Sequence, residues 1–116
     1  MTRLLLAFLS QCTYTIRMSF LTFAWDPEKN LLNQTKHDGI TFEEAKTVFL
    51  DDHARLIHDP LHSADEERFL LLGLSANPRL LIVCHCYRQS ETEIRIISAR
   101  KATKTEEKTY ERHRNA

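Results

Sequence analysis

Four arginines and a lysine could do chemistry in this chain: Arg68 of "EERF", Arg88 of "CYR", and Arg95, Arg100 and Lys101 of "RIISARK". Guanidinium stays charged at any physiological pH and forks onto two phosphate oxygens, so strand-borne arginines that converge suit a phosphodiester. RNA asks little covalent help of a protein, because its 2′-OH is an internal nucleophile beside the phosphorus. What remains is to deprotonate that hydroxyl, stabilise the anionic transition state and protonate the leaving oxygen. His37, His85, Glu67, Lys101 and Tyr110 are available for the proton transfers. A plainer reading competes for each arginine, since strand arginines often pair with acids, and Arg68 directly follows Glu66 and Glu67.

Other chemistries find no pattern. Two glycines leave no Gly-rich phosphate loop, and neither a zinc spacing nor a hydrolase elbow occurs. Three cysteines form no disulfide framework and point to a reducing compartment. In "CHC", Cys84 and Cys86 share one face of a strand and His85 the other, so the triplet reads as buried thiols rather than a metal site. The expectation is an activity with neither metal nor cofactor. His58 and His62 of "HDPLHS" read as loop residues.

The 116 residues suffice for one domain with a core. Formal net charge is zero but divided: Asp26 to Glu67 holds 11 acids and 4 bases, Arg68 to Ala116 holds 10 bases and 5 acids. Such a split suits an anionic partner on one side and a basic one on the other. "MTRLLLAFLSQC" resembles a leader, but its six-residue apolar run, Leu4 to Leu9, is short for a signal core and far short of the ~20 residues of a membrane span. Met18 offers an alternative start. Residues 1–17 are therefore expected outside the fold, residues 18–116 form the domain, and the protein is expected in the cytoplasm without membrane attachment.

"FLTFAW" (Phe20 to Trp25) reads as a strand, followed by a helix with Asp26 as N-cap and Pro27 at its first position. Leu31, Leu32 and Thr35 should supply its buried stripe, with Gly39 ending it. Thr41 and Glu44 stand at capping-box spacing, and Phe42, Ala45, Val48 and Phe49 make an apolar helix face. "ARLIHD", "RFLLLGLS", "RLLIVCHCYR" and "EIRIISAR" are four strands at meander spacing, separated by turn residues at Pro60 to Asp65, Asn77-Pro78 and Gln89 to Thr92. Strict alternation in the last puts Ile94, Ile96 and Ser98 on one face and Arg95, Ile97 and Ala99 on the other. Thr103, with Glu106 three residues on, caps a polar last helix. The order describes an α+β domain: a small antiparallel sheet, two helices near the N-terminus on one face, a C-terminal helix, and the other face open.

In the same order and with matching gaps, "FAWDPEKN", "KHDGITFEEAKTVFLD", "HSADEERFLLLG", "RLLIVCHCYR" and "RIISARKATKTEEKTYE" resemble the BrnT family of type II toxin–antitoxin toxins, themselves similar to RelE-type ribonucleases. The resemblance covers roughly residues 20–111. It implies a RelE-like fold, metal-independent RNA cleavage with growth arrest, and a BrnA-like antitoxin that binds operator DNA and covers the toxin. Carried onto this chain, it implies a catalytic set of Arg68, Arg88, Arg100 and His37, with Arg95 and Lys101 contacting RNA. Departures are Asp38 before Gly39 in "KHDG", thiols in "VCHCY", and the leading 17 residues. None removes an arginine.

Two other readings stand beside this one. The first is a binding module of the same fold that has lost catalysis and acts as antitoxin partner or co-repressor. The second is an exported protein with a removable leader.

Overall fold

The computed structural model describes residues 21–59, 67–88 and 92–115. The expectations for residues 1–17, His62 and the Pro60 to Asp65 turn lie outside them. The elements are β1 (Thr22–Ala24), α1 (Pro27–Lys36), α2 (Phe42–Thr47) running into a 3-10 turn (Val48–Leu50), β2 (Arg55–His58), β3 (Phe69–Leu74), β4 (Leu80–Tyr87), β5 (Glu93–Lys101) and α3 (Lys104–Arg114). The expected order is the observed one.

The five strands lie in the order β1-β5-β4-β3-β2. β2 to β5 form the antiparallel meander, but β1 joins β5 in parallel, so the sheet is mixed rather than antiparallel. A parallel pair needs a long return path between its strands, and the whole of α1 through β4 supplies it.

One face carries the main core. Ile40, Phe42, Ala45 and Val48 from the α1–α2 layer pack on Leu71, Leu81, Val83, Ile94, Ile96 and Ala99. The opposite face is not left open, as expected, along its whole length. α3 lies over one end of it, with Tyr110 against Leu72 and Ile82 and with Leu70, Leu80 and Ala102 around them.

The first helix does not bury the residues expected. Leu31 is 66% exposed and Leu32 58%, while Asn33 is 4% exposed. The reason lies in β5, whose outer edge beyond Arg95 has no neighbouring strand among the described residues. The Asn33 carboxamide takes that place. Its Oδ1 accepts from Ala99 N at 3.0 Å, and its Nδ2 donates to Ala99 O at 2.9 Å and Ile40 O at 3.0 Å. A buried strand edge must find partners, and here a side chain provides what a sixth strand would have provided.

The caps follow the sequence in two of three helices. Asp26 accepts from Glu28 N at 2.8 Å with Pro27 in the first turn, and Thr103 and Glu106 form a complete capping box. At α2 the box is half made. Thr41 accepts from Glu44 N, but the Glu44 carboxylate turns instead to Arg79, in a two-pronged pair at 2.7 and 2.8 Å, and to Ser75 Oγ at 2.6 Å. Arg79 thereby holds the Glu44 carboxyl below the usual carboxylate range. After α1, both Asp38 (φ 52°) and Gly39 (φ 73°) are left-handed, a conformation that aspartate tolerates better than most residues.

Gly73 marks a close approach between the layers. A Cβ there would lie 2.8 Å from Val48 Cγ1 and 3.0 Å from Ala54 Cβ. Gly73→Ala is expected to cost about 1–3 kcal/mol through overpacking, read as a lower denaturation midpoint. An unchanged midpoint would mean that the 3-10 turn moves away freely.

Candidate nucleic-acid interface

The ladder registers fix which cations share a face. Arg95 pairs with Cys86 across β4–β5, and continuing the β3–β4 register brings Arg68 opposite Cys86 from the other side. Arg68 and Arg95 therefore flank β4 on the α3 face, roughly 10 Å apart by the spacing of neighbouring strands. Arg88 follows on the same face, where its N–H donates to Glu93 O at 2.9 Å. Three arginines thus share the end of that face beyond α3. Glu93, opposite Arg88, adds a carboxylate among them that the sequence reading missed; its position becomes visible only once the β4–β5 register is known.

The other candidates lie elsewhere. Arg100 is on the α3 face but opposite Ile82, towards the covered end, and its guanidinium is gripped by Glu106 at 2.9 and 3.0 Å. That pair holds the Glu106 carboxyl down to about 2. Lys101 falls on the opposite face, with Nζ 3.7 Å from Asp38, so the cations from Arg95 to Lys101 are no single seam. His37 ends α1, in the layer on Lys101's face of the sheet, with its N–H on Asn33 O at 2.8 Å.

A β-bulge accounts for part of this arrangement. Cys84 pairs with Ser98 and His85 with Ile96, which leaves Ile97 without a ladder partner. The extra residue reverses the alternation beyond it, so Ala99 enters the core and Ser98 crosses to the α3 face, against the alternation expected. Arg95, before the bulge, keeps its expected side and reaches the α3 face with Arg100.

Several titratable groups are unsuited to neutral proton transfer. Burial pushes the Tyr110 hydroxyl up to about 12, helped by the Asp51 carboxylate that accepts its proton at 2.7 Å. Burial would also raise Asp51, but the amides of Leu74 and His53, with that hydroxyl, hold it low. Tyr110 is thus the bolt fastening α3 to the turn before β2. Cys84 is half-buried and its thiol is raised by burial, with the Arg68 charge opposing; Cys86 is buried. His58 rests on Phe69 and lies 3.7 Å from Glu67. Among the described residues, no three His, Cys, Asp or Glu side chains gather as metal ligands would.

His85 is fully buried between Phe49, Phe69 and Tyr87 on the α1–α2 face. Nδ1 lies 3.1 Å from Val83 O, and Nε2 is buried with no hydrogen-bond partner among the described residues. Burial drives its pKa down to about 4 from 6.5. Between those values the unfolded chain binds the proton and the folded chain does not. Its contribution is whole above pH 6.5 and is lost as pH falls towards 4, about 3 kcal/mol in all. Denaturation midpoints measured from pH 7 to 4 should show that decline, and His85→Phe should flatten it.

These features define a class: a small α+β protein whose sheet is covered by the α1–α2 layer on one face and partly by α3 on the other, with Arg68, Arg88 and Arg95 on the part of that second face beyond α3. Comparison with solved structures gives a match of the same architecture, the 1.1 Å crystal structure of the Brucella abortus ribonuclease toxin BrnT. Its TM-score is 0.55 at 20% identity, over 72% of this chain and 99% of that chain. The likeness is one of fold. Comparison with curated proteins gives no match. A model of the family described as ribonuclease toxin, BrnT, of type II toxin–antitoxin system matches residues 25–106. The chain belongs to the BrnT family of type II toxin–antitoxin toxins, and that membership implies an antitoxin partner. Among the described residues no helix is long and apolar enough to cross a membrane.

Proposed function

We propose that this toxin is an endoribonuclease that cleaves RNA by attack of the 2′-OH, without a metal, in the cytoplasm. The observation that carries the reading is the convergence of Arg68, Arg88 and Arg95 on the uncovered end of one sheet face. Permanent cations on a strand or at strand ends, with long arms and little reorganisation to make, suit the pentacoordinate phosphorane's extra negative charge. Glu93 takes the base role in this reading, being the carboxylate on the same face. Arg100, fastened to Glu106, fixes the start of α3 and so the border of the open area. Lys101 and His37 act at the rim, where RNA extends round the β5 edge that Asn33 borders.

The partner is a BrnA-like antitoxin that covers the cationic end, and contact with operator DNA runs through the antitoxin alone. Purified full-length protein incubated with single-stranded RNA and EDTA tests the activity. Fragments ending in 2′,3′-cyclic phosphate are expected, and addition of the antitoxin should suppress them. Intact RNA with folded protein would overturn the reading in favour of a catalytically silent antitoxin partner.

A further inference from the structure

The sheet edge farthest from β1 is as suggestive as its basic face. β2 is the outermost strand and all four of its residues are exposed. Among the described residues neither helical layer fully covers it: Leu56 on the α1–α2 face is 44% exposed and Ile57 on the α3 face 39%. Asp59 N donates to Arg68 O at 2.8 Å, which sets the alternation along the strand. Arg55, Ile57 and Asp59 turn their backbone groups inward to β3, whereas Leu56 and His58 turn theirs outward. A row of outward N–H and C=O groups flanked by apolar side chains is a template for another strand.

What suits that template is written in "RLIHD", Arg55 to Asp59, a stretch complementary to itself when reversed. We propose that β2 pairs with β2 of a second copy of this chain, antiparallel about a two-fold axis normal to the sheet, with Ile57 opposite its own mate. In that register Leu56 and His58 of the two copies form hydrogen-bonded pairs, giving four main-chain bonds. Arg55 of each copy then lies opposite Asp59 of the other on the α3 face, a closely spaced pair made twice. Moving the axis to Leu56 sets Arg55 against Ile57 and forfeits both charge pairs. Asp59 has contacts within its own chain, and the incoming guanidinium joins them. The axis normal to the sheet also brings both cationic ends to one side of a ten-stranded sheet.

Four-residue strands bury less than the ~1,000 Å² of a stable interface, so the dimer is weak and dependent on concentration. Sedimentation equilibrium of the full chain, over a series reaching about 1 mM, reads it. A monomer–dimer equilibrium is expected. Arg55→Glu, which sets carboxylates face to face, should raise the dissociation constant at least tenfold, by analogy with like-charge pairs across a ladder. The double variant Arg55→Glu/Asp59→Arg restores opposite charges and should return to within a few-fold of the parent; Arg55 is exposed and Asp59 partly so, and circular dichroism checks that the variants fold. A monomer throughout the series overturns the proposal, as does a dimer indifferent to Arg55→Glu or a double variant that stays apart. If the chain is monomeric and Ile57→Lys abolishes antitoxin binding instead, the edge belongs to an extended antitoxin segment and the self-pairing is wrong.

Discussion

Replacing Asn33 with leucine, which is similar in size and more apolar, is expected to destabilise the fold by about 3–5 kcal/mol. The substitution removes three hydrogen bonds at once and strands the Ala99 N–H and the Ala99 and Ile40 carbonyls. Each buried group left without a partner costs about 1–3 kcal/mol, and the added apolar contact offsets only part of the sum. Guanidinium denaturation should show a large fall in midpoint with little change in slope. The paired control is Leu32→Asn one residue earlier, at a side chain 58% exposed, where the change should stay within about 0.5 kcal/mol. If Leu32→Asn proved the damaging variant and Asn33→Leu the silent one, the helix would be turned the other way. The β5 edge would then need another partner.

That contrast shows what the sequence could and could not tell. Periodicity found every element, because alternating strands and capped helices announce themselves locally: Asp26-Pro27, Thr103 with Glu106, and the run "LLIVC" all behave as read. The same rule misleads at α1, where the apolar Leu31 and Leu32 are exposed. There the strongest demand was a hydrogen-bonding one set by Ala99, 66 residues away. β5 misled for a related reason. A single bulged residue, Ile97, moves Ala99 into the core, and nothing in "RIISAR" marks the extra residue. The parallel pairing of β1 was hidden too, since three residues specify no direction. Glu44 shows a local rule losing to a distant partner, its capping-box role given up for Arg79. The basic candidates were legible as residues, but their grouping depended on register. It joined Arg68, Arg88 and Arg95, tied Arg100 to Glu106, and sent Lys101 to the other face.

The grouping makes activity separable from stability. Arg68→Ala and Arg95→Ala should each lower RNA cleavage by about 10²–10³-fold, the usual loss when a charged donor to a transition state is removed. Arg95 is half-exposed and belongs to neither core cluster, so Arg95→Ala should leave the denaturation midpoint nearly unchanged. Arg100→Ala should behave differently. It cuts both charge-assisted bonds to Glu106, and because both side chains are partly exposed the cost is screened to about 1 kcal/mol. Glu106→Gln should reproduce that loss of stability, since it removes the same ion pair from the other side. Lys101→Ala, on the far face beside Asp38, should leave cleavage within a few-fold of the parent. Glu93→Gln tests the base: the rate should fall while RNA binding persists. Should Lys101→Ala abolish cleavage while Arg68→Ala and Arg95→Ala leave it intact, the RNA would lie on the α1–α2 side of β5. The cationic end of the sheet would then need a different anionic partner.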